Sequence, residues 1–192
     1  MLAEMGYTAF AVDMYGDGKV AEHPEDALAL MNEVRENLPV GEERLRAARA
    51  VLEEHPSTDG SRTAAIGYCF GGGILLHMAR IGEDLAGVVS FHGGLATETP
   101  ATAGTIQTRL LVLNGADDPW SPPEVRDSFA AEMKAAGADY RMVNYEGAVH
   151  SFTSPNATAL GEQFDMPLRY DERADTESWA EMERFLAEVF SG

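Results

Sequence analysis

Gly67-Tyr-Cys-Phe-Gly-Gly72 is the stretch on which the reading of this chain turns. Before it runs Arg62-Thr-Ala-Ala-Ile-Gly-Tyr68, read as a buried strand; after it comes a helical pattern from Gly71 to Ile81. A chain passing directly from strand to helix must turn sharply, which holds the central side chain in a strained conformation at the end of a sheet. Gly67 and Gly71, two residues either side of Cys69, leave room for strand and helix to approach. The Cys69 sulfur would lie at the helix N-terminus, where the dipole favours thiolate, and the Phe70 N–H would serve as an oxyanion donor. The bland reading is a buried cysteine in a glycine-rich turn. A phosphate cradle is a third, although no Gly-Lys-Ser/Thr ending follows.

Working outward, Tyr7–Asp13, Leu85–Phe91, Arg109–Asn114 and Tyr140–Tyr145 read as further strands, the first running into the turn Tyr15-Gly-Asp-Gly18. A helical region from about Pro24 to His55 is expected to break into two helices at Pro39-Val-Gly41. Pro122 to Ala136 reads as a helix closed by Gly137. Thr176 to Phe190 reads as an amphipathic helix with Trp179, Met182, Phe185, Leu186 and Val189 on one stripe. Pro155 to Arg173 has weak periodicity and reads as a long loop at the rim of a site. Apolar strands alternating with helices imply a single α/β domain over residues 1–192, its mostly parallel sheet covered by helices on both faces.

Composition narrows the partners. The chain has 192 residues, with 32 Asp plus Glu against 14 Lys plus Arg, a formal charge of −18. Nucleic acid and anionic membrane surfaces both need a basic footprint, so neither is expected. A hydrophobic share of 45% excludes wholesale disorder. No apolar run approaches the roughly 18 residues of a membrane span. Cys69 is the only cysteine, which fits a reducing compartment, and a cytoplasmic location is expected. The five histidines show no His-x-x-x-His or Cys-His spacing, so no metal is expected.

The residues after the turn complete a pattern. One strand leads into Asn114-Gly-Ala-Asp-Asp-Pro119 and the next into Glu146-Gly-Ala-Val-His150-Ser-Phe152. Nucleophile, acid and histidine thus follow in chain order at successive strand ends, so that His150 could take the Cys69 proton while a carboxylate holds its other ring nitrogen. Asp117 and Asp118 both qualify as the acid; the offset from Gly115 favours Asp118. His92, at the end of the strand after the turn, could approach the site or be a hydrogen-bonded structural residue. Tyr15, Trp120 and Phe152 flank the same positions and are candidates, with His92, for substrate contact. Arg169 and Arg173 in the rim loop could offset the negative field.

Taken together, Asp13-Met-Tyr-Gly-Asp-Gly18, Gly67-Tyr-Cys-Phe-Gly-Gly72, Ser90-Phe-His-Gly-Gly94, Asn114-Gly-Ala-Asp-Asp-Pro119 and His150-Ser-Phe152 resemble the dienelactone hydrolase family. The resemblance implies an α/β-hydrolase fold, a Cys69–Asp118–His150 triad, hydrolysis of small-molecule esters or lactones through an acyl-thioester, and no cofactor. It also implies three strands ahead of the one like Tyr7–Asp13, carrying a second oxyanion N–H and an acidic residue near the thiol. The chain is therefore expected to be truncated relative to the family. An unpaired sheet edge would invite association, for which a homodimer is the candidate. If these residues are instead the whole protein, a rearranged sheet and weak or absent catalysis are expected. The rival is a non-catalytic α/β-hydrolase remnant serving as an interaction or structural module.

Overall fold

In a computed structural model that describes residues 1–191, the chain divides into two compact units, Met1–Thr63 and Ala64–Gly192. The second unit is built on four strands, β1 (Ala64–Tyr68), β2 (Gly87–Phe91), β3 (Arg109–Gly115) and β4 (Tyr140–Tyr145). They pair in parallel and in sequential order, β1-β2-β3-β4, with Gly67 opposite Ser90 and Phe91 opposite Leu113. Parallel neighbours need crossovers. These are α3 (Phe70–Arg80) between β1 and β2, a long loop between β2 and β3, and α4 (Pro123–Ala136) between β3 and β4. Two further helices follow, α5 (Ala157–Phe164) and α6 (Glu172–Phe190).

Side-chain alternation shows that both faces of this sheet are covered. A Cβ on Gly87 would lie 2.9 Å from the Phe185 ring of α6, whereas one on Gly72 of α3 would lie 2.5 Å from Ser90 Oγ. Positions 87 and 90 differ by an odd number, so α6 and α3 pack on opposite faces. Leu110 to Leu113 are accordingly buried without alternation, as a strand enclosed on two sides requires. Arg80, buried in α3, is held by Glu132 of α4 at 2.8 Å and by the Leu95 carbonyl at 2.7 Å. Gly137 ends α4 in the left-handed conformation, φ 72°.

The first unit contains α1 (Pro24–Arg35) and α2 (Leu38–Glu53). The break falls at Glu36–Asn37, ahead of the expected Pro39-Val-Gly41: Pro39 lies in the first turn of α2, where its missing N–H costs nothing. Gly41 is a contact point, since a Cβ there would meet Val34 Cγ1 of α1 at 2.8 Å. The expected strand Tyr7–Asp13 is not formed. An extended segment becomes a strand only when a neighbour pairs with its backbone, and residues 1–63 contain no strand. Phe10 is half exposed there. The turn after it is ordered by Asp13, whose carboxylate accepts the N–H groups of Tyr15, Gly16 and Gly18. Those bonds, that from Gly18 foremost, lower the Asp13 pKa.

The expected loop Pro155–Arg173 is also corrected, since it contains α5. This helix is one of the shortest, and Gly161 faces the Leu168 carbonyl so closely that a Cβ would not fit. A glycine at the buried position removes the apolar signal by which such a helix is read.

Candidate active site

The turn at residues 67–72 has the strain its sequence implies. Cys69 sits at φ 50°, ψ −117°, a conformation that L side chains rarely adopt. Its N–H continues the ladder to the Phe91 carbonyl (3.0 Å), and its own carbonyl accepts the first α3 bond from Gly73 N–H (3.1 Å). One residue thus ends the strand and begins the helix. A Cβ on Gly67 would lie 2.5 Å from the Gly71 backbone, so only glycine fits. Cys69 is partly exposed, and Phe70 occupies the first turn of α3, where amides point out of the helix end.

Asp118 and His150 arrive from the ends of β3 and β4. Asp118 stands just beyond β3, with its N–H on the Gly115 carbonyl (3.4 Å) and its carbonyl receiving Ser121 N–H (3.0 Å). One carboxylate oxygen accepts Trp120 N–H at 2.8 Å; the other accepts His150 Nδ1–H at 2.8 Å. Asp118 is 3% exposed and His150 5%, so this bond is shielded from water. Asp117 is exposed, and only its backbone takes part, donating to the Ala148 carbonyl. The His150 carbonyl accepts Arg169 N–H, and Ser151 follows at φ 57°, which fixes the loop on both sides of the ring.

The second ring nitrogen, Nε2, is buried without a well-aligned partner. Cys69 is its neighbour in chemical effect. Burial alone would lower the His150 pKa, but the bond to Asp118, then the hydrogen bonding and charge of Cys69, raise it to about 9. Held in this way, the ring has the proton affinity of a general base.

The remaining candidates separate by burial. Trp120, half exposed, stands edge-on to His150 with centroids 4.5 Å apart. Phe152 is fully buried beneath, against His92 (5.2 Å) and Tyr145 (5.5 Å). His92 is 4% exposed and edge-on to His150 at 5.0 Å. Tyr15 belongs to the first unit, in the Asp13 turn. Arg169 and Arg173 donate to the Gly147 and Glu146 carbonyls and so brace the turn before His150. Thr153 was not among the residues singled out by sequence, yet its hydroxyl lies 2.9 Å from His92 Nε2. Its only sequence signal is its place three residues beyond His150.

A strained residue joining a parallel strand to a helix, with an acid and a histidine at later strand ends, defines an α/β-hydrolase. Residues 1–190 match the dienelactone hydrolase family, and the chain belongs to it. The fold is similar to that of a dienelactone hydrolase-like promiscuous phosphotriesterase from metagenomic libraries, at 37% identity and a TM-score of 0.89, covering 98% of this chain and 77% of that one. An uncharacterized protein of Caenorhabditis elegans is 31% identical over 153 residues, 77% of this chain and 93% of the relative. Protein usf of Aquifex pyrophilus is 27% identical over 151 residues, 78% of this chain and 65% of that protein. The family and these neighbours make the protein a hydrolase.

Proposed function

We propose that the protein cleaves carboxylic esters or lactones through a Cys69–His150–Asp118 triad and an acyl-thioester. The observation that carries this reading is the state of His150. One nitrogen is bonded to a buried carboxylate, the other is left for Cys69, and the ring's proton affinity is raised to about 9.

The reaction begins from thiolate and imidazolium. Cys69 Sγ adds to the carbonyl carbon, and the resulting oxyanion is met by the Phe70 N–H at the head of α3. Collapse breaks the carbon–oxygen ester bond; the departing alkoxide takes the Nε2 proton and leaves as alcohol. Neutral His150 then takes a proton from water, and the hydroxide adds to the thioester carbon. The second collapse releases the carboxylic acid and restores thiolate beside imidazolium. Asp118 holds the ring in one tautomer and orientation throughout. Trp120, half exposed beside His150, is suited to form a wall for the acyl or alcohol group. Likeness to a promiscuous phosphotriesterase supports a second substrate class for the same thiolate, attack at phosphorus.

The test is hydrolysis of p-nitrophenyl acetate, with a phosphotriester carrying the same leaving group assayed beside it. Wild type turns over the ester; Cys69→Ala and Cys69→Ser do not. Equal turnover in wild type and Cys69→Ala would remove the thiol from the mechanism.

A further inference from the structure

His92 is a buried titratable group next to the site that the reaction above leaves unused. At 4% exposure it has no surface to offer a substrate. Its backbone is unusual: φ is 40°, and its N–H donates to the Leu113 carbonyl at 2.7 Å, which fixes the residue where β2 ends beside β3. Its ring is edge-on to His150 (centroids 5.0 Å apart, 63° between planes) and to Phe152 (5.2 Å, 81°). Nε2 is 2.9 Å from the Thr153 hydroxyl, on the same loop as His150. Nδ1 is buried without a partner.

We propose that His92 is a positioning residue for His150: an imidazole fixed to the end of β2 that packs on the His150 ring and, through Thr153, ties down the loop that carries it. This rests on the hydrolase reading, in which His150 must keep Nδ1 on Asp118 while Nε2 serves Cys69.

The charge of His92 matters as much as its place. The ionisable groups facing it are His150, Asp118 and, from β1, Tyr68, whose ring centroid is 6.0 Å away. Burial first, then the nearby His150 charge, push its pKa down to about 3 despite Asp118. His92 therefore bonds Thr153 without competing for the proton that His150 carries. A phenylalanine would supply the packing without the tether. A lysine or arginine would place a like charge beside the imidazolium.

Two variants remove the tether from opposite ends: His92→Phe, which keeps a ring, and Thr153→Val, which keeps the shape of the threonine. Each is expected to lower kcat on p-nitrophenyl acetate about ten-fold with KM nearly unchanged, because orientation rather than binding is lost. The double variant should lose no more than the worse single one, since both remove one bond. Thr153→Ser should restore most of the rate. A loosened His150–Asp118 bond also lowers the His150 titration midpoint, which imidazole NMR of the folded proteins reads without any assay of activity. An unmoved midpoint in both folded variants, or losses that multiply in the double, would overturn the proposal. Should His92→Phe fail to fold, Thr153→Val and Thr153→Ser decide it alone. Should wild type lack esterase activity, the hydrolase reading fails, while the NMR titration still reports on the positioning.

Discussion

Residues 1–63 and residues 64–191 carry similarly apolar segments, yet they use them differently. Of the buried hydrophobic side chains among the described residues, only Val34 and Ala48 lie in the first unit. Phe10, Val20, Leu28 and Val51 are about half exposed or more. In the second unit, Val88, Val89, Leu111, Val112 and Leu113 are fully buried. Tyr7-Thr-Ala-Phe-Ala-Val12 and Arg109-Leu-Leu-Val-Leu113 look equally strand-like, but only the second has neighbours to pair with. Apolar content prepares a segment to be a strand; pairing makes it one.

The contrast can be broken or sharpened by experiment. The largest effect should come from Cys69→Ala in the second unit, a loss of at least about 10³-fold in kcat/KM for p-nitrophenyl acetate with little change in unfolding. If activity survived, the second unit would keep its fold but lose its claim to the chemistry.

Gly67→Ala should come next. Its Cβ would press into the Gly71 backbone at 2.5 Å, where nothing flexible can give way. A loss of roughly 3 kcal/mol is expected in urea unfolding. Phe10→Ser, at a half-exposed position of the first unit, should cost less than about 1 kcal/mol in the same measurement. Comparable costs would show that residues 7–13 are packed as tightly as the sheet.

A different kind of effect is the pH dependence contributed by the two neighbouring histidines. His150 has a folded pKa of about 9 against 6.5, so its contribution is complete below pH 6.5 and is lost as pH rises through 9. His92 has a folded pKa of about 3 against 6.5, so the native state weakens as pH falls from 6.5 toward 3, where only the unfolded chain takes up the proton. Together they place their combined optimum near pH 6.5, a maximum that denaturant unfolding across pH should show in wild type. His92→Phe should flatten the acid side of that curve and, by lowering the His150 midpoint, move the alkaline side to lower pH.

The architecture of the second unit was legible in the sequence for a local reason. Gly67 and Gly72 mark a turn that few other structures require, whereas a Cβ on Gly71 would meet open space and that glycine is not the spacer its position implied; the strands around the turn are buried on both faces, so their composition alone reveals them. The pairing of Asp118 with His150 was legible from chain order, and the preference over Asp117 follows from its offset after Gly115. What was misread depended on contacts that sequence distance hides. Residues 7–13 lack a pairing neighbour in their unit, α5 conceals its packing behind Gly161, and Pro39 opens a helix instead of breaking one. The bond between Thr153 and His92 joins positions 61 residues apart, and neither residue type announces it.

The most direct measurement is rapid acid quenching of wild type mixed with p-nitrophenyl acetate, followed by peptide mass mapping. The account predicts one acetyl group per chain, on the peptide containing Cys69, formed in a burst of p-nitrophenol and lost in later turnover. Steady hydrolysis with that peptide never acetylated, or acetyl carried on another side chain, would contradict it.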